Sequence, residues 1–94
     1  VGGEQVNAKK AVLLEKISRK PYPKNFTTRE LDQLMRKCCC EKFSGGRGSG
    51  IGYVHTETKK NFTFDQPHPG NELYKYQIEK VIKFLQDIGE LEKR

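Results

Sequence analysis

Hydrophobic positions follow a helical period in three stretches of the chain and a period close to two between the second and third. The first helical stretch runs from Ala8 to about Arg19. Its apolar stripe consists of Leu13, Leu14 and Ile17. Pro21 and Pro23 are expected to end this helix, because proline donates no backbone hydrogen bond and disfavours helical geometry in the residue before it.

The second helix has the strongest local signature. Thr27 is followed three residues later by Glu30, which is the sequence of a capping box. Phe26, just before the cap, is placed to pack against Leu31 as a hydrophobic staple. The buried face then continues at helical spacing through Leu31, Leu34, Met35 and Cys38. The pattern therefore predicts a scaffold helix that begins at this cap.

Three short segments rich in aromatic and β-branched residues predict an antiparallel meander, with strands at Cys39–Phe43, Ile51–His55 and Asn61–Asp65. Alternation places Phe62 and Phe64 on one face. In the middle strand, the residues predicted to share a face are Ile51, Tyr53 and His55. Gly52 and Val54 fall on the opposite face, which is left for solvent or a partner.

The last helix follows the proline-rich segment Gln66–Gly70 and is expected to end at Gly89. Its predicted apolar stripe is Tyr74, Ile78, Val81, Ile82, Leu85 and Ile88. The order of elements predicts a single α+β domain over residues 8–94, a two-layer α-β-β-β-α sandwich with an extra N-terminal helix. Residues 1–7 are expected to be a disordered or vector-derived end.

Composition and charge narrow the possible partners. The 94 residues include 18 basic and 12 acidic side chains, for a net charge of +6 and a pI of about 9.3. A basic surface of this kind favours nucleic acid or an acidic protein. No apolar run is long enough to span a bilayer, so a cytoplasmic protein is expected. The consecutive Cys38, Cys39 and Cys40 suit neither a disulfide framework nor a zinc site, and reduced core thiols are predicted.

Two segments carry candidate chemistry. The glycine-rich stretch Ser44–Gly50 lets backbone amides approach a phosphate, and Arg47 adds a forked cation. A plain flexible hairpin explains the same stretch without a ligand. His68 is fixed on both sides by Pro67 and Pro69, so its imidazole is expected to point to a defined place.

These residues together resemble the HicA family of bacterial toxins. The likeness rests on Gly48–His55, on Pro67–Leu73 and on the amphipathic helix that ends at Gly89, and it covers about Ala11 to Leu91. It is similar to a subgroup with a Pro-His-Pro-Gly loop and an upstream helix that ends in Lys-Pro. The resemblance implies a double-stranded-RNA-binding type of fold and cleavage of messenger RNA without a cofactor or metal. It also implies neutralisation by a HicB-like antitoxin.

The chain departs from the family at one position. The best-known members carry a catalytic histidine directly after the glycine-serine pair, where this chain has Gly50. His68 is therefore the candidate for proton transfer, with Ser49 orienting the phosphate. The residues expected to contact RNA are Arg47, Gly48, Lys75, His55 and Lys42.

Two hypotheses in which the protein has no catalytic activity stay open. A catalytically inactive domain of this type could bind RNA by shape and through phosphates. A protein-interaction domain could instead use the exposed sheet face or a strand edge, with Tyr76 on the surface and Tyr74 in the core. The sequence leaves the oligomeric state open.

Overall fold

The computed structural model describes residues 9–44, 50–65 and 70–92. The helices in these ranges are α1, Lys10–Ser18, α2, Thr28–Lys37, and α3, Lys75–Asp87. The strands are β1, Cys40–Ser44, β2, Gly50–His55, and β3, Asn61–Asp65. The order α-α-β-β-β-α confirms the predicted α+β arrangement with an extra leading helix. None of the helices in these ranges has the length and apolarity needed to cross a bilayer.

The sheet is an antiparallel meander in the order β1-β2-β3. Tyr53 pairs with Phe62 and Ile51 with Phe64, so these four side chains share one face, and all are buried. Phe62 also lies against Phe84 of α3, with ring centroids 4.6 Å apart. The predicted alternation is confirmed, and the contact of Phe84 with Phe62 and that of Asp32 with Tyr53 show that α3 and α2 pack on this face.

The capping box at the start of α2 is confirmed. The backbone N–H of Glu30 donates to Thr27 Oγ1 at 3.2 Å, and the backbone N–H of Thr27 donates to Glu30 Oε1 at 3.0 Å. Phe26 and Leu31 are both fully buried, as the staple requires. The N-terminus of α2 is therefore fixed by residues adjacent in sequence.

Two details of the predicted elements are wrong. Tyr74 is 45% exposed, because it is the extended N-cap of α3 and does not follow the helical period, while the unpredicted Phe84 is buried. Cys39 was expected in the first strand but has a φ of +62° and is exposed. It forms the reversal between α2 and β1, and the strand begins one residue later.

The cysteines are free thiols with two different environments. Cys38 and Cys40 are buried and Cys39 is exposed. Burial raises the pKa of Cys38 to about 12 and that of Cys40 to about 11. Both therefore stay protonated at neutral pH and act as small core side chains, since the thiolate is the reactive form.

On the opposite face of the sheet, Phe43 makes a tight contact with Gly52. The ring of Phe43 lies across Gly52, and a Cβ at Gly52 would lie 2.6 Å from Phe43 Cε1 and 3.0 Å from Thr63 Cγ2. Gly52 pairs directly with Phe43 and Thr63. A glycine is therefore required for the aromatic ring to pack flat on this face.

We expect Gly52→Ala to destabilise the domain by about 1 kcal/mol, because the added methyl group displaces the Phe43 ring. In a Phe43→Ala background the cost should shrink toward zero, because only the 3.0 Å contact with Thr63 Cγ2 remains and alanine is favoured over glycine in a strand by roughly 0.5–1 kcal/mol. Urea denaturation of the four proteins measures the coupling. An equal cost of Gly52→Ala in both backgrounds would contradict the ring contact.

Candidate RNA-binding cleft

Both segments singled out in the sequence are attached at one end of the sheet. β1 ends at Ser44 and β2 begins at Gly50, which pairs with Asp65 at the end of β3. Residues 45–49 and 66–69 lie outside the described residues, and with them the predicted site residues Arg47, Gly48, Ser49 and His68. The described flanks of the two segments are direct neighbours in the sheet.

The chain that follows the second segment returns to the N-terminus of α2. The backbone N–H of Thr28 donates to Asn71 O, and that of Leu73 donates to Phe26 O, both at 2.8 Å. These bonds hold residues 71–73 against residues 26–28. The described flanks of the segment that contains His68 therefore lie at the sheet end and at the first turn of α2.

A buried amide fixes both flanks of this segment. Gln77 is fully buried in α3. Its Oε1 accepts from the backbone N–H of Tyr74, and its Nε2 donates to Asp65 O, both at 2.8 Å. The sequence gives little sign of this role, because a glutamine in a helix is usually exposed. Gln77 thus holds Asp65, which precedes the segment, and Tyr74, which follows it, at a fixed separation.

An open cleft of about 620 Å³ lies at this end of the sheet, between α2 and the β1–β2 hairpin. The described residues that line it are Thr28, Arg29, Asp32, Gln33, Lys42, Ile51, Tyr53 and Asn71. Ile51 directly follows Gly50, and Asn71 directly follows Gly70. The cleft therefore borders the described flanks of both the glycine-rich and the proline-rich segments.

The carboxylate in the cleft, Asp32, has its negative charge compensated by Arg36. Tyr53 Oη donates to Asp32 Oδ1 at 2.9 Å, and Arg36 Nε donates to Asp32 Oδ2 at 2.7 Å. Burial alone would raise the pKa of Asp32, but these hydrogen bonds and the charges of Arg36 and Lys42 outweigh burial and lower it. Burial and the bond to Asp32 raise the pKa of Tyr53. At neutral pH the pair is a carboxylate that accepts from a phenol.

The remaining charges leave the cleft cationic. Within the part of the chain that the structure describes, neither Arg29 nor Lys42 takes part in an ion pair. Two cations, with the amides of Gln33 and Asn71 and the hydroxyl of Thr28, therefore surround one compensated carboxylate. Such a set can bind a phosphodiester and donate to sugar or base oxygens. The described lining contains no histidine, so it supplies charge and donors rather than a proton-transfer group.

The structure separates the predicted RNA contacts. Lys42 lies in the cleft. His55 is at the opposite end of β2 from Gly50, is 6% exposed, and has its Nδ1 2.9 Å from the Thr58 hydroxyl in the β2–β3 turn. Its buried ring serves the turn and is not part of the cleft. Lys75 lies in a different groove, beside Tyr22.

Sequence reasoning missed Arg29, Gln33 and Asn71. Arg29, Asp32 and Gln33 have the spacing i, i+3 and i+4 of one helix face, and this is the only signal that the sequence offers for them. The described residues contain no group of three His, Cys, Asp or Glu side chains that could hold a metal ion.

No protein-family model, curated protein or solved structure matches this chain.

Proposed function

We propose that this protein binds RNA in the cleft between α2 and the β1–β2 hairpin and, like the HicA toxins that it resembles, cleaves messenger RNA without a cofactor. The single observation that supports this most is the position of Arg29 and Lys42, neither of which forms an ion pair with another described residue. They lie in the cleft that borders the flanks of both the glycine-rich and the proline-rich segments. The proposed phosphate-binding cations thus lie beside the described ends of the segment proposed to be catalytic.

RNA fits the cleft better than a small metabolite does. The cleft is open to solvent, and its lining combines two cations with amide and hydroxyl groups. RNA recognition uses this combination, because phosphates pair with the cations while 2′-hydroxyls and base edges bond to amides. A small ligand is usually held in an enclosed and mostly apolar pocket.

The proposed chemistry is a transfer within the RNA strand. The 2′-oxygen attacks the adjacent phosphorus, and a general base accepts the proton of the 2′-hydroxyl. The bond from phosphorus to the 5′-oxygen then breaks as the 5′-oxygen gains a proton. His68 is the group proposed to transfer the proton, with Ser49 orienting the phosphate. Arg29 and Lys42, with Arg47, would stabilise the charge on the phosphate oxygens in the transition state.

Two partners complete the proposal. A HicB-like antitoxin would neutralise the protein by covering the cleft, and a messenger-RNA substrate would place the pair in the cytoplasm. The second candidate function is RNA binding without cleavage. It is favoured by Gly50, which has no side chain at the position where the family has its catalytic histidine.

The cleft predicts a specific loss of RNA affinity. Arg29→Ala with Lys42→Ala should weaken binding of single-stranded RNA about tenfold at roughly 0.1 M salt, because two phosphate contacts are lost. The slope of log affinity against log salt should fall by roughly 1.4, or 0.7 for each contact. Fluorescence anisotropy with a labelled oligouridylate measures both quantities.

The matched control removes two exposed cations elsewhere. Lys59→Ala with Lys80→Ala makes the same change in net charge at two exposed positions that line neither the cleft nor the groove beside Tyr22. This variant should keep its affinity within about twofold. Equal losses in both variants would show that only the total charge matters, and no loss in either would refute the cleft as the RNA site.

A further inference from the structure

A second groove, of about 520 Å³, lies beside the cleft and has an apolar floor. The floor is formed by Tyr22, Leu73 and the two prolines on either side of Tyr22, Pro21 and Pro23. Leu73 is buried, and Tyr22 packs against the hydrophobic core while remaining partly exposed. The groove therefore offers an accessible aromatic ring in a fixed position.

The rim of the groove is cationic. It carries Lys20, Lys24 and Lys75, and no acidic residue is among its described lining. Lys20 Nζ lies 4.2 Å from the centroid of the Tyr22 ring and donates to Tyr22 Oη at 2.9 Å. Lys75 Nζ lies 6.0 Å from the same centroid. Two ammonium groups thus lie near one ring, and Lys24 lines the same groove.

The groove and the cleft are lined by residues of one short segment of the chain. Asn71 lines the cleft and Leu73 lines the groove, and both belong to the extended segment held against residues 26–28. Residues two apart in an extended chain are separated by about 6.6 Å. The chain from Asn71 to Leu73 therefore connects the lining of the cleft with that of the groove.

We propose that this groove is a second subsite for single-stranded RNA, in which a base stacks on Tyr22 while Lys20, Lys24 and Lys75 bind the adjoining phosphates. The inference rests on the proposed RNA-binding function and extends it to the strand that leaves the cleft. A base takes the place of the Lys20 ammonium over the ring, and that ammonium pairs with a phosphate of the same strand. Stacking of bases on aromatic rings beside cations is the usual way to hold single strands without regard to sequence.

The test compares RNA lengths in the full chain. Tyr22→Ala should weaken binding of an oligouridylate of about 12 nucleotides by about 5- to 100-fold, because one stacked base is lost. Binding of an oligomer of about 4 nucleotides, too short to fill both sites, should change less than about twofold. Tyr22→Phe keeps the ring and loses only the hydroxyl, so its affinity for both RNAs should match the original protein.

Two further variants separate stacking from damage to the fold. Lys24→Ala changes an exposed side chain and should lower the salt slope for the longer RNA by roughly 0.7. Tyr76→Ala, which removes another exposed aromatic ring, should leave the affinity unchanged. Thermal unfolding identifies any variant whose loss of binding comes from loss of structure.

The outcomes distinguish the two proposals. If Tyr22→Ala and Lys24→Ala bind the longer RNA as the original protein does, the second subsite is refuted, while the sensitivity to Arg29 and Lys42 can still stand. The same result combined with tight binding of an acidic peptide would assign the groove to a protein partner. If the original protein binds no RNA, both proposals fail together.

Discussion

Replacing His68 with alanine is expected to abolish RNA cleavage and the growth arrest that follows from it. General acid–base catalysis contributes on the order of a hundred- to ten-thousand-fold, and Gly50 supplies no side chain that could replace the imidazole. The described lining of the cleft offers a neutralised carboxylate, a phenol that keeps its proton and two cations. None of these suits proton transfer at neutral pH, so the loss should be nearly complete.

The experiment needs two readouts, because catalysis and binding are separate questions. Cleavage of a labelled messenger RNA and growth after induced expression report the reaction, while anisotropy reports affinity. His68→Ala should retain its RNA affinity within a fewfold, since the phosphate contacts of Arg29 and Lys42 remain. Unchanged cleavage in this variant would remove His68 from the mechanism.

The same assays on the protein without substitutions distinguish the remaining hypotheses. RNA binding with neither cleavage nor growth arrest would favour the inactive RNA-binding domain. Growth arrest that is relieved by co-expression of the neighbouring open reading frame would support the proposed antitoxin.

The second large effect is on stability. Phe26→Ala is expected to lower the free energy of unfolding by about 3–5 kcal/mol, because the ring is fully buried and its loss leaves a cavity. Phe26 precedes the cap of α2, and its carbonyl oxygen accepts from the backbone N–H of Leu73. The substitution therefore loosens both the start of α2 and the segment that closes the cleft. Small domains have only about 5–15 kcal/mol of stability in total.

Urea denaturation, followed by circular dichroism, measures this change. Tyr76→Ala is the matched control, since it removes an aromatic ring that is 56% exposed and should change the stability by less than about 0.5 kcal/mol. Similar stability changes in the two variants would contradict the burial of Phe26. A preserved midpoint in Phe26→Ala would contradict the staple as a stabilising contact.

Local sequence signals predicted the parts of the fold that local physics controls. The capping box at Thr27, the end of the last helix near Gly89 and the alternation of Phe62 with Phe64 each depend on residues within a few positions. All three are present in the structure as predicted. The wrong details, at Cys39 and Tyr74, lie at element ends, where capping geometry overrides periodicity.

The cleft could be predicted only in part. Lys42 was named from the sequence because it is a basic residue near the glycine-rich segment. Arg29 and Asn71 are 42 residues apart in the numbering and meet only because residues 71–73 pair with residues 26–28. No periodicity within either segment specifies that pairing.

The element order, the buried faces and the basic character of the chain follow from local sequence, because helical and strand periods, caps and charge are encoded by residues near one another. Which cations share a cleft depends on contacts between distant parts of the chain. Lys42 lies with Arg29 in the cleft, His55 is buried at the other end of β2, and Lys75 lies in the groove beside Tyr22. The physical reason is that packing between distant segments, through long-range hydrogen bonds such as those of Gln77, fixes where side chains meet.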